Sequence, residues 1–176
     1  NVILTGGAGD NVIDASLTSF DITLVGLAGN DTLIGGSGDD TFLFDIDNVL
    51  GTDSVTGNGG IDTISFAGSS AGAVVDLAIT GLTQSVRVGF LVLNLAAEDI
   101  EGAAGGSGND DLKGNSLDNI LTGGLGNDIL TGRAGSETYR YDTDSVNWGT
   151  DEIVENGADA GHDIIDFSQT TLQTIT

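Results

Sequence analysis

The side chains best placed for chemistry in this sequence are aspartates that close glycine-rich hexapeptides. Asp31 ends GLAGND, Asp40 ends GGSGDD, Asp62 ends GNGGID, Asp110 ends GGSGND and Asp128 ends GGLGND. Glycine tolerates tight curvature and close backbone approach, so such a six can turn successive carbonyl oxygens toward one point. The aspartate adds negative charge beside them. Carbonyl and carboxylate oxygens together suit calcium, which takes six to eight oxygen ligands at roughly 2.3 to 2.6 Å.

One turn supplies only part of that shell, and the spacing of the turns shows where the rest comes from. Motifs at 105, 114, 123 and 132 follow one another every nine residues without a gap, and further copies begin at 6, 26, 35 and 57. Each nine divides into a glycine-rich six and a three with an apolar centre: Leu33, Phe42, Ile64, Leu112, Leu121, Leu130 and Tyr139. The threes alternate polar, apolar, polar and predict very short strands with one side chain pointing inward. Two nines make one coil of 18 residues, and stacked coils give two parallel sheets around a thin core with turns piled in two columns.

Ions are therefore expected between turns one coil apart. The leading pair is Asp110 with Asp128, together with the carbonyls of Gly105, Gly106, Ser107, Gly108, Gly123, Gly124, Leu125 and Gly126. With four extra residues allowed near Ile46, the turn at 26 (Gly26, Gly29) stacks under GTD at 51 and pairs Asp31 with Asp53. The turn at 35 (Gly35, Gly36, Ser37, Gly38) stacks under that at 57 and pairs Asp40 with Asp62. Asp128 is also expected to face Asp151, and Asp163 to sit above the turn at 132. Asn11, Asn119 and Glu137 replace the aspartate and are expected to be weaker metal positions.

A larger repeat overlies the small one. TFLFDID at 41 matches TYRYDTD at 138, and GTDSV at 51 matches GTDEI at 149, an offset of roughly 97 residues. The organisation is copy one over 1–66, a strand-rich insert without calcium motifs over 67–100, copy two over 101–168, and the start of a next insert over 169–176. In the insert, VVDL at 74 and the alternating Val86, Val88 and Phe90 predict strands that add coils without ligands. The two copies and the abrupt stop give the look of an excerpt from a longer tandem array.

The bulk numbers agree. Twenty-seven acids against four basic residues leave a net charge of -23, which excludes nucleic acid and anionic membranes as partners. No apolar run approaches the roughly 18 residues of a membrane-spanning helix, so no membrane insertion is expected. A mean hydropathy of +0.12 is too high for a disordered acidic tail. Both facts hold together if the carboxylates bind a cation. Cysteine is absent, removing disulfides and thiolate metal sites, and proline is absent, as continuous sheet favours.

No catalytic set emerges, and the chain is read as not an enzyme. The single histidine, His162, lies in a variable turn position, no serine sits in G-x-S-x-G, and Ser37 and Ser107 belong to the acidic turns. Trp148, before a turn glycine, reads as a packing residue.

GGSGDDTFL, GGSGNDDLK and GGLGNDILT resemble the nonapeptide GGxGxDxUx of the repeats-in-toxin (RTX) family, the haemolysin-type calcium-binding repeats, at every defined position. The resemblance implies an all-β, right-handed parallel β-roll (a β-solenoid) holding several Ca2+ ions between turns. It also implies type I secretion from Gram-negative or related bacteria to the exterior or cell surface, and folding triggered by extracellular calcium. The function expected is a calcium-stiffened structural segment of a large adhesin, surface-layer or matrix protein. Its partners would be calcium, further copies in a longer chain, and laterally associated rods. The alternative is a calcium-binding module beside a secreted lipase, protease or epimerase.

Overall fold

The computed structural model describes residues 2–141, 149–155 and 161–168. Trp148 and the segment 169–176 lie outside the described residues. No helix occurs among them, so none is long and apolar enough to cross a membrane.

Copy one builds β1 (Val2–Thr5), β2 (Val12–Asp14), β3 (Ile22–Val25), β4 (Thr32–Ile34), β5 (Thr41–Leu43), β6 (Gly51–Thr56) and β7 (Thr63–Ser65). The insert gives β8 (Val74–Asp76), β9 (Thr83–Arg87) and β10 (Leu91–Leu95). Copy two gives β11 (Gly102–Ala104), β12 (Asp111–Lys113), β13 (Ile120–Thr122), β14 (Ile129–Thr131), β15 (Thr138–Arg140), β16 (Glu152–Val154) and β17 (Ile164–Asp166).

Strands alternate between two faces, because each turn reverses the chain and the next turn brings it back one rung higher. One face is a single eight-stranded sheet in the order β1-β3-β5-β7-β11-β13-β15-β17. Every pairing along it is parallel, as a β-solenoid of about seven turns requires. The opposite face is divided into a five-stranded sheet, β2-β4-β6-β10-β9, and a four-stranded one, β16-β14-β12-β8.

The apolar centre of each three points inward as its alternation predicts: Leu33, Phe42, Ile64, Leu112, Leu121, Leu130 and Tyr139 are all buried. Burying each such side chain contributes roughly 1.5 to 3 kcal/mol, so each rung adds little and the stack holds by repetition.

The insert departs from expectation in two ways. It adds no rung to the eight-stranded sheet: β7 pairs directly with β11, Thr63 opposite Gly102. Instead β10 extends the five-stranded sheet over β6 and β9 ends it, while β8 opens the four-stranded sheet under β12. The alternating Val86, Val88 and Phe90 do not form one strand. Val88 to Phe90 is the turn of an antiparallel β9-β10 hairpin, with Gly89 at a φ of 78°. Val88 is left exposed there, while Val86 is buried.

Candidate metal centres

The turns form two columns, one where the chain leaves the eight-stranded sheet and one where it returns. In the first column the backbone N–H of Asn11 donates to Asp31 Oδ1 at 2.8 Å and that of Asp31 to Asp53 Oδ1 at 2.8 Å. Higher up, the N–H of Asp110 donates to Asp128 Oδ1 at 2.8 Å and that of Asp128 to Asp151 Oδ1 at 3.1 Å. In the second column Asp40 N–H donates to Asp62 Oδ1 at 2.9 Å and Glu137 N–H to Asp163 Oδ1 at 3.1 Å. Every aspartate pair expected from the spacing is thus brought together, the Asp31/Asp53 and Asp40/Asp62 pairs at separations of 22 residues and Asp110/Asp128 at 18.

One carboxylate oxygen therefore belongs to the ladder, and the other faces the glycines. A β-carbon on Gly105 would stand 2.1 Å from Asp110 Oδ2 and 2.2 Å from the Gly123 carbonyl. On Gly35 it would stand 2.5 Å from Asp40 Oδ2 and 2.7 Å from the Gly57 carbonyl. Gly26 and Gly123 face Asp31 Oδ2 and Asp128 Oδ2 in the same way. The Gly35 and Gly105 cradles are lined by oxygen from two successive coils, and any side chain on the first glycine of a turn would fill its cradle.

The rest of each turn stacks through backbone. Leu125 N–H donates to the Gly106 carbonyl at 2.9 Å, Ser107 N–H to Ser69 at 2.9 Å, and Ser37 N–H to Thr18 at 3.0 Å. Gly126, at a φ of 122°, lies over the Gly108 carbonyl, and Gly29 and Gly38 lie over the backbone at Gly9 and Phe20. The second turn position is left-handed at Gly124, and also at Leu27, Asn58 and Arg133, with φ of 71°, 74° and 85°. Most side chains are unfavourable there, asparagine least so, so the fold holds Leu27 and Arg133 against their local preference.

Burial and charge decide what the cradles can hold. Asp31, Asp53, Asp62, Asp110 and Asp128 are almost fully buried. The Oδ2 atoms of Asp31, Asp53, Asp62 and Asp128 accept no hydrogen bond, whereas Asp40 Oδ2 accepts from Gly36 and Asp110 Oδ2 from Gly106. Burial first, and neighbouring carboxylates at Asp53, Asp62 and Asp128, push Asp53, Asp110 and Asp128 up to about 6 and Asp62 to about 7.

Among the described residues no protein cation answers them. Arg87 pairs with Asp47, Lys113 with Asp111, Arg133 with Asp76 and Arg140 with Asp166. Buried carboxylates facing carbonyl oxygens without a counter-charge are unfavourable by themselves and fit a hard divalent cation.

The model of the RTX calcium-binding nonapeptide repeat matches the chain in four copies, over residues 1–17, 23–48 and 104–138. These are RTX calcium-binding repeats. No curated protein matches the chain. The module is a calcium-binding repeat unit of a bacterial protein. The matched residues include the Asp31, Asp40, Asp110 and Asp128 cradles. The RTX columns also extend beyond them, since Asp53, Asp62, Asp151 and Asp163 continue the same ladder.

The replaced positions diverge. Asn11 Oδ1 accepts from Gly7 N–H at 2.5 Å. Asn119 is tied into a neutral network, accepting from Asn115 N–H and donating to Asn115 Oδ1 and the Glu101 carbonyl. Beside it the Arg133 guanidinium donates to both Asp76 oxygens and to the Gly114 carbonyl at 2.6 to 2.8 Å. A protein cation thus stands against a first-position carbonyl of the column. At Glu137 the longer side chain joins Glu155 and Asp163, whose carboxylate oxygens lie within 4.8 Å of one another.

Spacing alone missed Asp99, Glu101 and Glu155. None ends a glycine-rich six. For Asp99 and Glu101 the only signal was the acid cluster AEDIE placed one sheet position before the GGSGND turn. His162 is exposed at the surface and donates its backbone N–H to Ser136 Oγ.

Proposed function

We propose that this RTX module is a load-bearing segment of a secreted or cell-surface protein, folded and stiffened by calcium taken up between its turns. The observation that carries the reading is the aspartate ladder. It runs in two columns beside a sheet that is continuous through both copies, so each ion ties one coil to the next. Asp31, Asp40, Asp53, Asp62, Asp110, Asp128, Asp151 and Asp163 would supply the charge, and the first-position glycine carbonyls the neutral oxygens. Bound calcium contributes the electrostatic compensation the buried carboxylates lack.

This role is mechanical and not catalytic. Binding confined to the folded state adds directly to stability, and extracellular calcium modules bind at about 10⁻⁴ to 10⁻³ M. Such affinities leave the chain unfolded at low calcium and rigid after export by type I secretion. Repetition of the unit in a longer chain extends the rod. Far-UV circular dichroism in low salt tests this: β signal should appear on adding calcium and vanish with a chelator. A β spectrum unchanged by the chelator would overturn it.

A further inference from the structure

We propose a calcium site at the junction of the two copies, closed by Asp99 and Glu101 from outside the nonapeptide motif. It rests on the reading that the turns hold calcium, and it assigns an ion where the repeat is interrupted by the insert.

At this level of the second column the turn Gly57–Asp62 has no glycine-rich turn above it. The insert's return, Ala96 to Glu101, lies there instead, with Ala96 N–H donating to the Val55 carbonyl at 2.9 Å. Asp62 N–H donates to Glu101 Oε2 at 2.9 Å, so the glutamate takes the ladder role that an aspartate takes elsewhere. Asp99 Oδ2 accepts from the N–H groups of Gly57 and Asn58, each at 3.1 Å. That fixes the Asp99 carboxylate over the mouth of the turn.

Two oxygens then converge as in the motif cradles. A β-carbon on Gly57 would meet the Asp99 carbonyl at 2.2 Å and Asp62 Oδ2 at 2.4 Å. This is the arrangement at Gly105, with Asp99 supplying the carbonyl that Gly123 supplies there. Asp62 is fully buried, and its Oδ2 accepts no hydrogen bond. Asp99 Oδ1 is likewise a buried atom without a hydrogen bond. The four basic side chains pair elsewhere, with Asp47, Asp111, Asp76 and Asp166. The Asp99 carbonyl and the Asp62 Oδ2 atom thus face one point, Asp62 Oδ2 without a hydrogen-bond partner, and none of the four basic side chains is paired there. A hard divalent ion there would satisfy both oxygens, with the unpartnered Asp99 Oδ1 on the same residue adding charge.

The consequence is continuity. Copy one and copy two meet across the β7-β11 pairing, and this ion would clamp that joint from the turn side.

The test is calcium stoichiometry by native mass spectrometry and calorimetry on the full chain, compared with the Asp99→Asn/Glu101→Gln variant. The variant should bind one ion fewer, keep its β signal in calcium, and show faster amide exchange at Gly57 and Asn58. An unchanged ion count in the folded variant would overturn the site. If the variant does not fold, a crystal of the unsubstituted chain grown in terbium decides. An anomalous peak between Gly57 and Asp99 is expected, and its absence with peaks in the motif turns would overturn the proposal. Absence of any calcium binding by the unsubstituted chain would instead sink the broader calcium-rod reading.

Discussion

Asp128 shows how one residue can stabilise in one condition and destabilise in another. Its Oδ1 carries the ladder bond from Asp110, and its Oδ2 is buried with no hydrogen bond. Asp128→Asn keeps the acceptor and removes the charge. In calcium the midpoint for folding should rise to about tenfold higher calcium or more, roughly 1.4 kcal/mol of binding per tenfold. With a chelator the sign inverts, because the variant no longer buries an uncompensated carboxylate. Calcium titrations followed by circular dichroism check the first half, and the concentration of a stabilising osmolyte that restores β signal in chelated samples checks the second; a higher osmolyte requirement for the variant would contradict the cation role. Arg133 makes the converse case. Its guanidinium already satisfies Asp76 and the Gly114 carbonyl, and charge-assisted hydrogen bonds contribute about 1.5 to 3 kcal/mol. Both side chains are partly solvated, which places Arg133→Ala at the lower end. That loss should be the same at all calcium concentrations that fold the chain, and dependence on calcium would mean that an ion shares the Arg133 position.

Among the elements, each short strand presents one inward side chain, so a single truncation removes most of a rung's apolar contribution. Leu121 is fully buried at the centre of β13. Leu121→Ala should cost about 2 to 5 kcal/mol in saturating calcium, read as a shift in the urea midpoint; a loss under 1 kcal/mol would mean that the ions alone hold the coils. Gly105→Ala tests the turn instead. Its methyl would fall between Asp110 Oδ2 and the Gly123 carbonyl, so the expected result is one ion lost with the neighbouring strands retained. Strands, core centres and aspartate pairs were legible in the sequence because a fixed interval of nine ties each residue type to one position in the coil. The insert was not. Val88 and Phe90 continue an apolar alternation through what is a hairpin turn, and period-two patterning cannot distinguish the two. The β7-β11 contact spans the whole insert, so no local spacing announces it. Asp99, Glu101 and Glu155 were hidden for a related reason, as their roles come from what stacks beneath them and not from their own neighbours.

For the whole molecule, a net charge of -23 and a ladder of buried acids make protons and calcium alternative solutions to one problem. Asp53, Asp110 and Asp128 protonate near 6 in the folded chain and Asp62 near 7, against roughly 3.9 for an aspartate in an unfolded chain. Between those values the folded state binds more protons than the unfolded one, so stability of the calcium-free chain falls as pH rises. The contribution is fully present below about pH 4 and is lost as pH climbs through 6 to 7. Self-repulsion has the same sign, since acidification lowers the net charge. The exposed Asp14 and Asp47 and the half-buried Asp166, held low by hydrogen bonds from Ser16, Ser70 and Ser168, act in the opposite sense below that window. Calcium needs the same carboxylates deprotonated, so its affinity should rise over the pH range in which calcium-free stability falls. With a chelator present, the chain should therefore gain β signal when moved from about pH 7.5 to about pH 4.5. At the higher pH, calcium should restore that signal, and the affinity of the folded chain for calcium, read by calorimetry, should weaken as pH drops toward 5.5 or so. Circular dichroism with sedimentation velocity, to separate folding from precipitation, follows the β signal. A chelated chain that gains no β structure on acidification across this window would show that the buried aspartates are not the groups controlling the fold.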